Sequence, residues 1–209
     1  MVLGLFTAGL EGAGADEAPG EKTPPQTPQP KKKPKAGRDE EPLMRLRGNR
    51  HIRIRARSVK LRRSAYDRIR EIGKRYHEAT KRKLVVTGGD RTPSRQAELM
   101  YRKMEHGDNL LRLYTQVRLV WPLVKLYDKG KKEKLGRRRI LREMTKLITA
   151  QVEKGRYVSR HLANTAADVR SRGLRDEHVE ALEEAVKCVA GARLVDERDS
   201  EAPHFHLSL

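Results

Sequence analysis

Hydrophobic and polar residues alternate in a short segment that begins at His51. Residues 51–57 read His-Ile-Arg-Ile-Arg-Ala-Arg, so that a strand would place its isoleucines on one face and its arginines on the other. Gly48 and Asn49 precede this segment and favour a tight turn. We therefore predict a β-hairpin in which residues 44–47 pair with the alternating segment.

Further along the chain, some segments repeat apolar residues every three or four positions, which predicts helices. Other segments are short apolar or alternating runs, which predict strands. The resulting helices are predicted over 64–79, from Thr92 onward, over 110–124, over 140–148 and over 176–190, and the strands over 83–87, 166–170, 192–196 and 204–209. Ser64 is a candidate N-cap, and Cys188 occupies an apolar-face position, which indicates a buried, inert thiol. Because the helices of 108–155 precede a C-terminal group of strands, the order predicts an α+β fold.

The first 42 residues have a different composition. Val2 to Leu10 form a short apolar run, and the following Ala-Gly-Ala triplet resembles the cleavage site of a signal peptide, although the basic segment that normally precedes such a run is missing. Residues 16–42 are rich in Pro, Glu, Gln, Thr and Lys, which predicts a disordered tether. No run approaches the about 20 apolar residues of a membrane span.

The charge of the chain points to an anionic partner. The formal net charge is +19 at pH 7, which favours nucleic acid, an anionic membrane or an anionic cell-wall polymer. Residues 31–63 hold fourteen Lys or Arg and three acids. This basic segment is either an arm for anionic polymers or a solvated face. Zinc-finger spacing and the aromatic signature of RNA-recognition modules are both missing.

Two short stretches carry residues typical of a metal site. His204 and His206 are separated by one residue, so in a strand their imidazoles lie on the same face. Upstream, His161 and Asp168 offer a neutral nitrogen and a carboxylate oxygen. Two histidines and one carboxylate, with the fourth position open, are the ligand set of a catalytic tetrahedral zinc site.

The same stretches resemble a known family. The pattern Ser-x-His161, a residue at 164 that tolerates left-handed backbone, Ala-x-Asp168 and a closing His204-x-His206 is similar to that of the zinc D-alanyl-D-alanine carboxypeptidases and murein endopeptidases. These enzymes share a fold with lysostaphin-type peptidases and the Hedgehog signalling domain. The resemblance covers roughly residues 60–209. It implies a compact antiparallel sheet with flanking helices, and a helical insertion over 108–155.

The resemblance also implies roles for individual residues. His161, Asp168 and His206 would be the zinc ligands, and His204 would stand beside the metal as a proton acceptor or donor. The stretch Val-Thr-Gly-Gly-Asp-Arg-Thr-Pro is similar to the strand and turn that present the family's substrate-binding arginine. Arg91 would therefore face the substrate carboxylate or the developing oxyanion.

One branch of the family places a catalytic glutamate three residues before the last ligand, where this chain has Pro203. Glu201 is therefore a reserve candidate for general base, and Glu197 is a weaker candidate that we expect to be a solvated charge. The expected function of residues 43–209 is zinc-dependent hydrolysis of an amide bond in peptidoglycan peptides, in the periplasm or cell envelope. The alternatives are a non-catalytic, metal-stabilised wall-binding module and a basic nucleic-acid-binding protein.

Overall fold

A computed structural model describes residues 41–200 and 202–209 of the chain. The predicted tether, apart from Glu41 and Pro42, and the reserve base Glu201 therefore lie outside the described residues. The described part contains six helices and seven strands: β1 (Leu43–Arg45), β2 (Ile52–Ile54), β3 (Lys60–Arg62), α1 (Arg63–Thr80), β4 (Leu84–Gly88), α2 (Pro93–Glu105), α3 (Leu110–Leu113), α4 (Val117–Lys132), α5 (Arg137–Glu153), β5 (Ala166–Arg170), α6 (Asp176–Lys187), β6 (Arg193–Glu197) and β7 (His204–Ser208). The α+β class is confirmed.

A five-stranded sheet with the order β2-β4-β5-β7-β6 forms the centre of the fold. Its pairs are antiparallel except for β2 and β4, which run parallel. Side chains of a strand alternate between the two faces of its sheet. One face presents Val169, Phe205 and Leu207, which are buried against α1 and α6 in one hydrophobic core. The opposite face therefore carries Asp168, which lies directly across from His206.

The predicted hairpin of residues 44–47 with 51–57 is wrong. Strand β1 pairs with β3, whereas β2 pairs with β4 and places Ile52 opposite Leu84. Ile52 is buried and lies against Gly73 of α1, where an added Cβ would collide with the isoleucine side chain. Ile52 is buried under α1 when β2 lies at the edge of the five-stranded sheet, next to β4. Tertiary packing therefore overrides the hairpin turn that Gly48 and Asn49 predicted.

The helices of residues 93–153 form a second hydrophobic core with residues on the loop that follows them. The members of this core are Ala97, Met100, Tyr101, Leu110, Val120, Leu123, Tyr127, Ile140, Met144, Ile148, Val158 and Leu162. The helix predicted over 110–124 is two helices, because the chain leaves the helix at Tyr114, whose hydroxyl reaches Gln96 on α2. Among the described residues, no helix combines the length and hydrophobicity needed to cross a membrane.

Two local predictions are corrected at helix ends. Arg62 is the N-cap residue of α1, and Ser64 lies in the first turn, where its backbone N–H and its hydroxyl both donate to the Glu41 carboxylate. A carboxylate is favourable at this position because the helix N-terminus is partially positive. Cys188 is exposed rather than buried. It follows the last residue of α6, beyond the stripe of side chains that this helix buries.

Candidate metal centre

Three side chains converge on the open face of the sheet. His161 Nε2 lies 3.1 Å from Asp168 Oδ1 and 3.2 Å from His206 Nδ1. The remaining pair, His206 Nδ1 and Asp168 Oδ1, is 3.3 Å apart. The three residues predicted as zinc ligands therefore form one compact cluster, and they could hold a metal ion. The two residues on β5 and β7 are brought together by their direct cross-strand register.

The loop before β5 positions His161. It turns through residues 159–164 by local backbone hydrogen bonds and ends at Asn164, whose φ of 57° lies in the left-handed region. Asparagine tolerates this conformation better than most residues, in agreement with the sequence interpretation of position 164. The main chain of Asn164 then accepts a hydrogen bond from the backbone N–H of Arg62, which ties the loop to strand β3.

The protonation of His161 suits a metal ligand. Its Nδ1 lies 2.6 Å from the carbonyl oxygen of Gly89. A carbonyl only accepts, so Nδ1 carries the proton and Nε2 presents its lone pair to Asp168 and His206. Burial lowers the pKa of His161, and the side chain is 2 % exposed, so the neutral form is favoured. A backbone carbonyl that holds the far nitrogen of a histidine is a common orienting partner of metal ligands.

The spacing and chemistry of the three atoms fit a tetrahedral cation. Ligands about 2.0–2.1 Å from a zinc ion at tetrahedral angles are separated from one another by about 3.3 Å, close to the observed 3.1, 3.2 and 3.3 Å. Burial raises the pKa of Asp168, but the neighbouring imidazoles of His161, His204 and His206 outweigh it and hold that pKa well below its usual range. The carboxylate is therefore ionised. Facing lone pairs repel each other, and a cation between them removes that repulsion.

His204 lies next to the cluster but is not one of the three residues whose donor atoms are closest together. Its Nδ1 donates to the carbonyl of Ala202 at 2.6 Å, which directs Nε2 toward Asp168 Oδ1 at 3.4 Å and Glu197 Oε2 at 3.5 Å. The hydrogen bond with Asp168 raises the pKa of His204, against the opposing effect of burial. The imidazole is therefore poised to hold a proton at Nε2, beside the metal position.

Glu197 differs from its sequence interpretation as a solvated charge. It lies directly across the sheet from His204, and its carboxylate contacts the histidine. Together with His206, these two residues form a second group whose donor atoms lie within 4.8 Å of one another. The contacts of the first group are shorter, so His161, Asp168 and His206 are the stronger candidate for a metal site.

Arg91 also reaches the site. Its Nη2 lies 3.3 Å from Asp168 Oδ2, on the carboxylate oxygen that does not face the histidines. Its Nη1 donates to Gln96 Oε1 at 3.1 Å, and the amide nitrogen of Gln96 donates to the hydroxyl of Tyr114. Gln96 is fully buried, so the fork of Arg91 is held from both sides. Gln96 and Tyr114 were not identified as site residues from the sequence, because a single glutamine or tyrosine carries no distinctive pattern.

Two consecutive glycines make room for the cluster. Gly88 lies across from Asp168 in the sheet, and a Cβ at Gly88 would collide with the Asp168 carboxylate. Gly89 packs so closely on Val59 that a Cβ there would also collide, and its carbonyl is the partner of His161. The two glycines are recognisable in the sequence at the end of a strand. Glycine is needed at position 88 because the Asp168 side chain approaches closely from the neighbouring strand β5.

We expect Gly88→Ala to weaken metal binding by about 10–100-fold, the cost typical of disturbing a group that orients a ligand. The added methyl displaces the Asp168 carboxylate, whereas the fold retains its core. Metal affinity measured by competition with a chromophoric chelator checks this expectation. Gly136→Ala is the matched control, because its Cβ would meet open space, and it should leave the affinity unchanged. Equal affinities in both variants would contradict the role given to Gly88.

The fold and the site together define an α+β domain with a candidate metal centre of two histidines and one aspartate on the open face of its sheet. A scan against protein-family models, a search of curated proteins and a search of solved structures returned no significant match to this chain.

Proposed function

We propose that residues 43–209 form a zinc-dependent peptidase that hydrolyses an amide bond in the stem peptides or cross-links of peptidoglycan. The observation that carries this proposal is the triangle formed by His161 Nε2, His206 Nδ1 and Asp168 Oδ1. The likeness of the surrounding sequence pattern to zinc D-alanyl-D-alanine carboxypeptidases and murein endopeptidases supplies the reaction class.

Zinc is the metal that this donor set favours. Two imidazoles and one carboxylate at tetrahedral spacing, with the remaining position open toward a cleft, are typical of catalytic zinc sites. When bound, zinc lowers the pKa of a coordinated water toward about 7 and polarises a substrate carbonyl. No side chain of the site is needed as a covalent nucleophile for such a reaction.

His204 is the side chain best placed to move a proton. Its Nδ1 is committed to the Ala202 carbonyl, so proton exchange takes place at Nε2, which faces the cluster. Glu197 contacts the same nitrogen and stabilises the protonated ring. The imidazole can thus accept a proton on the attacking side and return it to the departing amine.

Arg91 supplies a fixed positive charge. Contacts with Asp168 and Gln96 hold the guanidinium in one orientation. In this position it orients the Asp168 carboxylate and adds positive charge where an oxyanion or a substrate carboxylate would lie. The permanent charge and paired donors of arginine suit that role better than the point charge of lysine.

The surroundings of the site suit a polymeric substrate. The cluster lies in an open cleft of about 2590 Å³ between the sheet and the helical region, lined by Asp168, His204 and His206 among other residues. An open cleft admits a strand of polymer that continues past the site. Peptidoglycan as substrate implies a location in the periplasm or cell envelope, where the basic composition of residues 31–63 would favour contact with anionic polymers of the wall.

The test is hydrolysis by purified, zinc-loaded protein. We expect cleavage of either a peptide ending in D-Ala-D-Ala or a cross-linked muropeptide dimer, abolished by a chelator and restored by zinc. Metal binding without turnover of either substrate would instead favour a non-catalytic wall-binding module. Salt-dependent retention of DNA with no bound metal would favour a nucleic-acid-binding protein and would overturn the proposal.

A further inference from the structure

The cleft around the site is strongly basic on the sheet side as well as on the helical side. Eleven arginines and one lysine line it, among them Arg170 and Arg193, against six acids. A cleft with one predominant sign of charge attracts ligands of the opposite sign. The register of the sheet shows where two of these arginines lie relative to the metal position.

Cross-strand pairs divide the open face into three rows. The middle row, called the metal row below, holds Asp168, His206 and Val195. Two residues along the strands in one direction, Arg170 lies directly across from His204. Two residues in the other direction, Arg193 lies directly across from Ser208. The metal row is therefore bounded by one arginine on each side.

The spacing between these rows matches a peptide. Two residues of a strand span about 6.6–6.8 Å, so the backbone of each arginine lies about that far along the strands from the metal row. Neither guanidinium has an ion-pair partner in the part of the chain that the structure describes. Both are therefore available to a ligand, unlike Arg91, which Asp168 and Gln96 already hold.

We propose that the cleft selects an acidic peptide, in which carboxylates about two residues to either side of the scissile amide bind Arg170 and Arg193. The inference rests on the proposed peptidase function and specifies its substrate class. An extended peptide centred on the metal row places side chains at the distances of these two arginines. A guanidinium binds a carboxylate through two parallel hydrogen bonds, which adds geometric specificity to the attraction of charge.

The lining of the cleft favours a peptide over a nucleic acid. Its tyrosines among the described residues, Tyr114 and Tyr157, are half-buried, and the hydroxyl of Tyr114 is bonded to Gln96. They offer no exposed platform on which bases would stack. The acids near β6, including Glu197 and Asp199, would repel a continuous phosphate backbone but leave room for separate carboxylates.

Binding of two labelled peptides to the zinc-loaded, full-length protein tests the inference. The peptides carry a reduced, uncleavable central amide and differ only in having glutamate or glutamine two residues before and after it. We expect the glutamate peptide to bind about 10-fold more tightly, the gain of charge-assisted hydrogen bonds. Arg170→Gln and Arg193→Gln should each reduce this preference, and the double variant should abolish it.

Matched variants separate the site from general charge. Arg138→Gln with Arg139→Gln removes two exposed arginines of α5 that lie outside the cleft, and it should leave the preference intact. Arg170→Lys with Arg193→Lys keeps the charge and should retain part of it, which also controls for folding. Equal binding of the two peptides, or a preference that survives the double glutamine variant, would overturn the inference.

The outcome is distinct from that of the proposed function. A glutamate preference without hydrolysis of natural substrates would refute the peptidase and leave the acidic ligand in place. Hydrolysis without the preference would refute only the acidic-peptide inference. A charge-matched oligothymidylate that binds more tightly than the glutamate peptide, and loses affinity in the same double variant, would overturn the peptide in favour of a nucleic acid.

Discussion

Replacing His161 or His206 by alanine is expected to abolish stable metal binding. Each removes one of three donors whose atoms lie 3.1–3.3 Å apart, and two donors do not hold the ion at tetrahedral spacing. We expect the affinity to fall by more than about 100-fold, beyond the cost of losing a group that only orients a ligand. Metal content of the purified variants, by mass spectrometry of the elements, measures this directly.

Thermal stability gives a second measurement of the same event. At a zinc concentration about 100 times the dissociation constant, binding stabilises the folded protein by about 2.7 kcal/mol. For a domain of this size, that corresponds to an increase in Tm of about 5–10 °C. The increase should vanish in His161→Ala and His206→Ala.

The control for both measurements is His77→Ala, which removes a histidine on α1, outside the lining of the cleft. This variant should bind zinc and respond to it as the parent protein does. If His161→Ala and His206→Ala both retained stoichiometric zinc, the metal would have to be bound elsewhere, and the assignment of the ligands would be wrong.

His204→Ala and Arg91→Ala should keep the fold and the metal but lose most activity. His204 approaches the cluster through Nε2 at 3.4 Å from Asp168 Oδ1, and it is the side chain in the best position to transfer a proton. Loss of a general acid or base typically reduces kcat by about 10²–10⁴-fold. Arg91→Lys should recover little, because the compact ammonium of lysine cannot reproduce the planar fork of donors that spans Asp168 and Gln96.

Zinc content and peptide hydrolysis must be measured on the same preparations, at excess zinc, because Arg91 also contacts Asp168, a candidate metal ligand. Glu197→Gln is an informative companion, since it removes the charge beside His204 while keeping the size of the side chain. Loss of metal in His204→Ala would mean that His204 is itself a ligand. Full activity with full metal content would move the proton transfer to another group, such as Glu197 or Glu201.

The candidate donor residues could be predicted from the sequence through the family resemblance for His161 and Asp168, and through a local rule for the last strand. A strand places residues two apart on the same face, so the pattern His-x-His already aligned His204 with His206, and the core confirms the alternation by burying Phe205 between them. Helical stripes likewise predicted α1, α5 and α6, since burial of one face leaves its period in the sequence.

The partner of each strand depended on tertiary structure. A turn signal at Gly48 and Asn49 could not reveal that Ile52 packs under α1 and pairs with β4 rather than with the preceding segment. The same limit applies to Cys188. The apolar pattern predicted a helix through residue 190, but α6 ends at Lys187 and leaves Cys188 exposed just beyond it. Local propensity states which element can form, and packing energy selects its neighbours.

The contacts that organise the site are also long-range. Gly88 is needed because Asp168 approaches it from the next strand, and Gln96 matters because it joins Arg91 to Tyr114 of the helical region. Amino-acid order by itself was enough to nominate the candidate metal ligands and to place His204 and His206 on one face of the last strand. Only the tertiary structure decided what surrounds them, because side chains distant in sequence meet at hydrogen-bonding distance through the register of the sheet.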